Sequence, residues 1–426
     1  MMRIIYNPEP SRWLDLCKRP QIETDFLEGR VKNILSRVKQ SGDASLREFN
    51  LEFDGVKLSN LRVSEQEINE AIEKTPSSLK EAIQLAAANI EKFHLAQRRE
   101  VQKIETLPGV TCWRKGVAIE KVGIYIPGGS APLFSTVLML GIPARLAGCS
   151  EIVLCSPPSE NGSINPAILF TASLVGIKNI FKIGGAQAIG SMAYGTESIP
   201  RVSKIFGPGN QYVTKAKQLV NTEGTAIDMP AGPSEVLVVA DESANPSYLA
   251  ADLLSQAEHG SDSQVVLVAT NENTIQATLK EVELQVEKLP RKEIAKQALK
   301  NSLAIIFSSS SGIIDFVNEY APEHLIINTN DCDELAEKII NAGSLFLGQY
   351  SPESAGDYAS GTNHTLPTNG FAKAYGGVSL ESFMKYITIQ KLTKEGLDNL
   401  GQAVIEMAEA EQLRAHANAI RIRTNL

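Results

Sequence analysis

The sequence of 426 residues is short of cysteine, of histidine and of net positive charge, and each shortage closes off a class of function. Its five cysteines (Cys17, Cys112, Cys149, Cys155 and Cys332) are odd in number, scattered, and form no CxxC pair. A disulfide framework is therefore not expected, and a reducing cytoplasm is the natural home. The formal net charge is −8, and no Lys/Arg block exceeds a few residues. Nucleic acid and anionic membrane both favour a basic face, so neither is expected as a partner. Long apolar runs are missing too. The longest, around Leu133 to Ala144, is interrupted by Ser, Thr, Gly and Pro. It falls short of the roughly 20 residues that a membrane-spanning helix needs. The opening MMRIIYNPEPSRW carries Arg3 and Pro8 and develops no signal-peptide core. There is no Walker A sequence and no clean G-x-G-x-x-G; the nearest match, starting at Gly207, has Tyr212 in the third place.

What remains is an ordinary globular mixture, 43% hydrophobic and 21% charged, enough for about three domains of roughly 150 residues. The first hundred residues read as helical. Val31, Ile34, Leu35 and Val38 keep a 3.6-residue period, Gly42 marks a stop, and Ser64 with Glu67 forms a capping-box pattern. A further helix from about Leu79 carries Ile83, Ala87, Ile90 and His94 on one face. From about Gly116 short apolar runs alternate with helical segments. VGIYIPGG, EIVLCSPP and NIFKIGG are followed by SEVLVVAD, SQVVLVAT, LAIIFSSS, HLIIN and SLFLG. This alternation predicts an α/β fold of two modules, each a mainly parallel sheet flanked by helices. Between Ser351 and Phe371 lies a Ser/Gly/Thr/Asn-rich loop of a length that is usually functional. From Ser379 onward the chain reads as helical, charged and poor in apolar surface, so it is expected to dock on another surface.

Four of the five histidines lie at element ends or in loops; His94 continues an apolar stripe and reads as structural. Gln256 and His259 stand three apart near a helix end, where both side chains project from one face. Amide oxygen and imidazole together suit a divalent ion such as Zn²⁺, although for the pair alone a helix-end histidine satisfied by nearby carbonyls is the simpler reading. In YAPEHL, Glu323 and His324 offer two adjacent proton-transfer groups. Neighbours in a regular strand point to opposite faces, so joint action requires irregular backbone, which Pro322 makes plausible. Asp357 and His364 sit in the long loop, and Glu411 and His416 lie on the terminal helix. Three Gly-rich turns (YIPGGSAP, IGGAQAIG and FGPGNQYV) follow strands and could bring backbone N–H groups to a phosphate. Cys112 and Cys149 stand in apolar surroundings and read as packed, inert thiols.

The stretch Ile227 to His259, IDMPAGPSEVLVVADESANPSYLAADLLSQAEH, closely resembles the signature of the histidinol dehydrogenase family. YIPGGSAPLFSTVLMLGIPARLAGC, IGGAQAI, IFGPGN, YAPEHL and the SAGDY…GTNHTLPT…GGVS loop resemble it too, in the family's order, from about residue 20 to the end. One departure is Ser261, where many relatives carry Pro; it touches a turn and no chemical group.

The resemblance implies an NAD-dependent, zinc-containing enzyme that oxidises L-histidinol through L-histidinaldehyde to L-histidine. By motif, Gln256, His259, Asp357 and His416 match the zinc ligands and also contact substrate. Glu323 and His324 match the proton-transfer pair, with His324 also a substrate contact. Ser234, His364 and Glu411 match further substrate contacts, and Tyr125, Gln187 and Asn210 match those to NAD. The family pattern is a homodimer of chains with two incomplete Rossmann-like modules, in which His416 and Glu411 cross to the partner's site. The expected division is an N-terminal extension (1–20), a first module (21–124 plus 236–378), an inserted NAD-contacting module (125–235) and a C-terminal helical extension (379–426). A zinc hydrolase or a silent binding protein for an amino alcohol would share several of these residues. Neither would reduce a nicotinamide.

Overall fold

The computed structural model describes residues 2–20, 25–128, 132–230 and 232–424. Strand β1 (Arg3–Tyr6) opens the chain. After helices Asp25–Phe53, Glu65–Lys74 and Ser77–Leu95 comes an antiparallel pair, β2 (Lys103–Leu107) and β3 (Val110–Ala118). The next strands are β4 (Lys121–Tyr125), β5 (Glu151–Ser156), β6 (Asn179–Lys182), β7 (Lys204–Phe206) and β8 (Ala226–Ile227). They form one all-parallel sheet in the order β6-β5-β4-β7-β8. Then follow β9 (Glu235–Ala240), β10 (Gln264–Ala269), β11 (Leu303–Ile306), β12 (His324–Asn328) and β13 (Ser344–Leu347). With β1 at the edge they form a second parallel sheet, β1-β11-β10-β9-β12-β13. Strand β14 (Met384–Leu392) returns to pair antiparallel with β3.

Every residue of β9, β10 and β12 is buried, as strands covered by helices on both faces must be. Side chains alternate across the sheet. Val236, Val238 and Ala240 pack on one face with helix Pro246–Ala257, while Leu237 and Val239 pack on the other with helix Ser310–Tyr320. In both sheets the strand order reverses beside the first strand of the series, between β4 and β7 and between β9 and β12. Such switch points open crevices outside the carboxyl ends of the strands, where ligands bind.

The expected helix stop at Gly42 is a break inside one run. Gly42 adopts φ +48°, a left-handed value that favours glycine, and helix resumes at once. A straight helix would hold Arg30 and Asp54 about 36 Å apart at about 1.5 Å per residue. Both line one cavity instead, so the break folds the segment back on itself. The capping box is present: the Ser64 hydroxyl accepts from Glu67 N, and the Glu67 carboxylate accepts from Ser64 N.

Three readings of the sequence need correction. Residues 1–20 are no mere extension, because β1 completes the six-stranded sheet. The helices between residues 25 and 95, assigned with the first module, pack on the five-stranded sheet of the other. Val31, Leu35 and Phe49 share a core with Val153 and Phe181, and Ile83 and Ile90 share one with Val122 and Ile124. The segment from Ser379 is not wholly helical either, since it contains β14, nine residues long. Tyr386, Ile387, Thr388 and Ile389 are the β-branched and aromatic signal for that strand. Its side chains are largely solvent-facing, so it shows no buried alternation, and β3 supplies its stability through backbone pairing.

Candidate active site

The chain direction of a parallel sheet explains how the candidate residues meet. Ser234 and Glu235 stand at the amino end of β9, and Glu323 and His324 at the amino end of the adjacent β12. Helix Pro246–Ala257 carries the chain from the far end of β9 back to this edge, so Gln256 and His259 arrive beside them. Short helix Glu353–Tyr358, within the long loop, adds Asp357, and the following turn adds His364. Ser234, Gln256, His259, Glu323, His324, Asp357 and His364 thus line one cleft of about 420 Å³.

Irregular backbone brings the Glu323 and His324 side chains together. Ala321 adopts φ +51° and closes the preceding helix, Pro322 follows, and regular strand begins only at His324. The His324 Nδ1 atom lies 3.6 Å from Glu323 Oε2 and 3.8 Å from Glu353 Oε1, and Nε2 lies 3.4 Å from Asp357 Oδ1. Burial alone would depress the His324 pKa, but the surrounding Glu353, Glu323 and Asp357 carboxylates outweigh it and raise that pKa well above the usual value. Burial pushes the Glu323 carboxyl up to about 8. Burial also pushes Glu353 up to about 8, against the pull of His324. Asp357 is held below the usual carboxylate range, because the facing His324 imidazole overcomes its desolvation. His259, at the mouth of the cleft, and His364 are both lowered by desolvation. His364 is fixed at both nitrogens, 2.8 Å from Asp357 O and 3.0 Å from Thr136 Oγ1.

Three buried polar atoms in this cluster have no hydrogen-bond partner: His324 Nε2, Glu353 Oε2 and Asp357 Oδ1. These three residues each offer a ligand atom within 4.8 Å of the others. Together with the Gln256 amide and the His259 imidazole they make a mixed nitrogen and oxygen donor set that suits a borderline divalent cation. Turned to satisfy both ends, the Gln256 amide donates to Glu353 Oε1 at 2.5 Å and accepts from Glu235 N at 2.8 Å.

Behind the cleft lies a buried support that sequence reasoning missed. The Arg19 guanidinium grips Glu235 through two contacts, Nε to Oε2 at 2.6 Å and Nη2 to Oε1 at 3.0 Å. It also donates to the carbonyls of Tyr320 and Cys17 and lies 3.6 Å from the Tyr320 ring centroid. Glu235 N donates to Glu323 Oε2 at 2.9 Å, and Glu235 O lies 3.3 Å from His324 Nδ1. Glu353 was missed as well. Its four-residue spacing from Asp357 puts both acids on one helical face, a signal present in SPESAGDY. Arg19 left no local signal, since its partner is 216 positions away.

A second cavity, of about 810 Å³, opens at the carboxyl edge of the five-stranded sheet and shares Asn210 with the cleft. Tyr125 and Gln187 line it, with Arg30, Phe53, Asp54 and Tyr212. The Tyr125 hydroxyl accepts from Gly185 N at 3.1 Å, and burial raises its pKa to about 12. Asn210 caps helix Gln211–Thr222, its Oδ1 accepting from Tyr212 N and Val213 N. At Gly207, φ is +124° and an added Cβ would overlap Tyr125 O, so only glycine lets this turn approach β4. Residues 129–131 of the YIPGGSAP turn lie outside the described residues.

Glu411 and His416 do not join the cleft within this chain. Glu411 ends helix Lys394–Ala410, Gln412 turns at φ +61°, and His416 sits on the separate helix Arg414–Thr424; both side chains are exposed. They therefore do not share one terminal helix, as the sequence reading had them. His94 is buried, its Nδ1 2.9 Å from Ile90 O. Cys112 and Cys149 line neither the cleft nor the second cavity, and burial raises Cys149 to about 11. No helix among the described residues is long and apolar enough to cross a membrane.

Comparison with known proteins agrees along the whole length. The family model described as histidinol dehydrogenase matches residues 17–424. The histidinol dehydrogenase of Bacteroides fragilis (strain YCH46) is 58% identical over 422 residues, covering 99% of both chains. That of Bacteroides thetaiotaomicron is 57% identical over 425 residues, covering 100% of this chain and 99% of the relative. The crystal structure of histidinol dehydrogenase from Elizabethkingia anophelis superposes with a TM-score of 0.98 at 57% identity, covering 100% of this chain and 98% of that one. Identity of this order, sustained from end to end and carried into the fold, places the chain in the histidinol dehydrogenase family, the oxidoreductases of the last steps of histidine biosynthesis.

Proposed function

We propose that this protein carries out the four-electron oxidation of L-histidinol, through L-histidinaldehyde, to L-histidine, with NAD as acceptor and one zinc ion at each active site. The observation that supports this best is the adjacency of the two cavities. A cleft with two proton-transfer groups and a nitrogen and oxygen donor set meets a dinucleotide-sized cavity at Asn210.

Gln256, His259 and Asp357 would hold the ion, with the partner subunit's His416 completing the set across a homodimer. The exposure of Glu411 and His416, away from their own chain's cleft, agrees with such an exchange. A zinc ion held there would supply orientation of the substrate's imidazole and amino groups. Tyr125, Gln187 and Asn210 contact NAD; Ser234, His364 and Glu411 contact the substrate, the last as a charge-assisted partner for its ammonium group. A cation held by Asp357 would leave less negative charge facing His324 and would favour the neutral imidazole that a base requires. His324 then takes the hydroxyl proton as hydride leaves carbon. Glu323 deprotonates the water that adds to the aldehyde, and a second hydride transfer from the hydrate gives the acid. Five free cysteines agree with a reducing cytoplasm.

The test is purified protein with NAD⁺ and L-histidinol, following nicotinamide absorbance and histidine together. Two NADH per histidine is expected; histidine release without NADH, or neither, would overturn the reading. Glu323→Gln is expected to slow aldehyde-to-acid conversion by about 10²-fold or more while slowing alcohol oxidation much less. Assaying each half with its own substrate checks this, and equal losses would remove Glu323 from the water-activating role. Because burial holds the Glu323 carboxyl near 8, it is neutral below that pH and a base above it. The aldehyde half-reaction should therefore rise with pH through about 8 in wild type and lose that rise in the glutamine variant.

A further inference from the structure

The larger cavity contains a polar group that none of the roles above employs. Asp54 lines it, and its Oδ2 atom is buried without a hydrogen-bond partner. Desolvation pushes this carboxyl up to about 6, so at neutral pH it is still mainly an anion, one lacking donors. Its position is firm, because Asp54 N donates to Asn50 O at 3.1 Å at the end of the folded-back helical segment. Asn210 marks the end of the cavity next to the catalytic cleft, whereas Asp54 lines only the larger cavity. A dinucleotide with its nicotinamide toward Asn210 extends its adenosine half into the part that Asp54 lines.

Resting on the dinucleotide reading above, we propose that Asp54 accepts hydrogen bonds from the vicinal hydroxyls of the adenosine ribose and thereby excludes 2′-phosphorylated coenzyme. A carboxylate offers two acceptor oxygens to the two donors of a diol, the match that acidic residues make with ribose in other nucleotide-binding folds. A 2′-phosphate replaces one donor by a dianion, and the carboxylate repels it. Arg30 lines the same cavity with a guanidinium nitrogen 3.3 Å from the Tyr212 hydroxyl.

The test is titration of the whole enzyme with NADH and with NADPH, read by nicotinamide fluorescence, in wild type, Asp54→Asn and Asp54→Ala. Wild type is expected to bind NADH about 10²-fold or more tightly than NADPH. Both variants are expected to bind NADH about ten- to a hundredfold more weakly, with NADPH unchanged or tighter, so that the preference collapses. Thermal midpoints near the wild-type value would show that the fold is kept. Wild type that binds neither coenzyme would overturn the dinucleotide reading itself, and this assignment with it. Wild type that prefers NADH while the variants keep both affinity and preference would overturn the Asp54 assignment alone. An equal loss of both coenzymes would also overturn it, since a merely structural role weakens both.

Discussion

His324→Asn is expected to lower turnover by about 10²–10⁴-fold in both half-reactions, while affinity for NADH stays at the wild-type value. Asparagine keeps a polar group near the imidazole position but cannot accept a proton at working pH. Losses in both halves are expected because the proposed function uses His324 as the base for each oxidation, and its imidazole faces Glu323, Glu353 and Asp357, each within 4 Å. Stopped-flow assays with histidinol and with histidinaldehyde separate the halves. A loss of less than about tenfold in either would place the base elsewhere.

Arg19→Met is expected to have the second large effect, on stability and activity together. It leaves Glu235, whose side chain is fully buried, without the guanidinium that neutralises it. Breaking a buried ion pair from one side costs about 3–5 kcal/mol, since the remaining charge is left desolvated. The damage reaches the reaction because Glu235 N holds the Glu323 carboxylate and Glu235 O faces His324. Thermal unfolding together with kcat checks this; a variant with wild-type midpoint and turnover would show that the pair supports nothing. Arg19→Lys should rescue only partly, because an ammonium cannot form the two-pronged contact.

Much of the architecture was legible in the sequence, because the central strands are buried on both faces and read as uninterrupted apolar runs. EVLVVA, QVVLVA and HLIIN need no partner to be recognised. Strands stabilised from outside themselves were not legible. β1 depends on β11, about 300 residues away, and β14 on β3. The assignment of the N-terminal helices failed for the same reason, since nothing in Val31 or Ile83 states which of two apolar sheets will cover it.

For the candidate site, residue types and local spacing pointed to Gln256 with His259 and to Glu323 with His324, and the resemblance supplied the rest. Neither could supply Arg19 or the orphaned oxygen of Asp54. A side chain's missing partner is a property of the packed state.

Chemistry encoded within a few residues was settled by the sequence: the strand and helix alternation, the family signature, and the scarcity of cysteine and basic charge. Tertiary structure alone decided what depends on distance through space. It gathered seven polar groups around the amino ends of two neighbouring strands, joined that cleft to the second cavity at Asn210, and backed Glu323 and His324 with a charge from residue 19. The physical reason is that hydrogen bonds and ion pairs act over a few ångströms, and only folding brings residues hundreds of positions apart within that range.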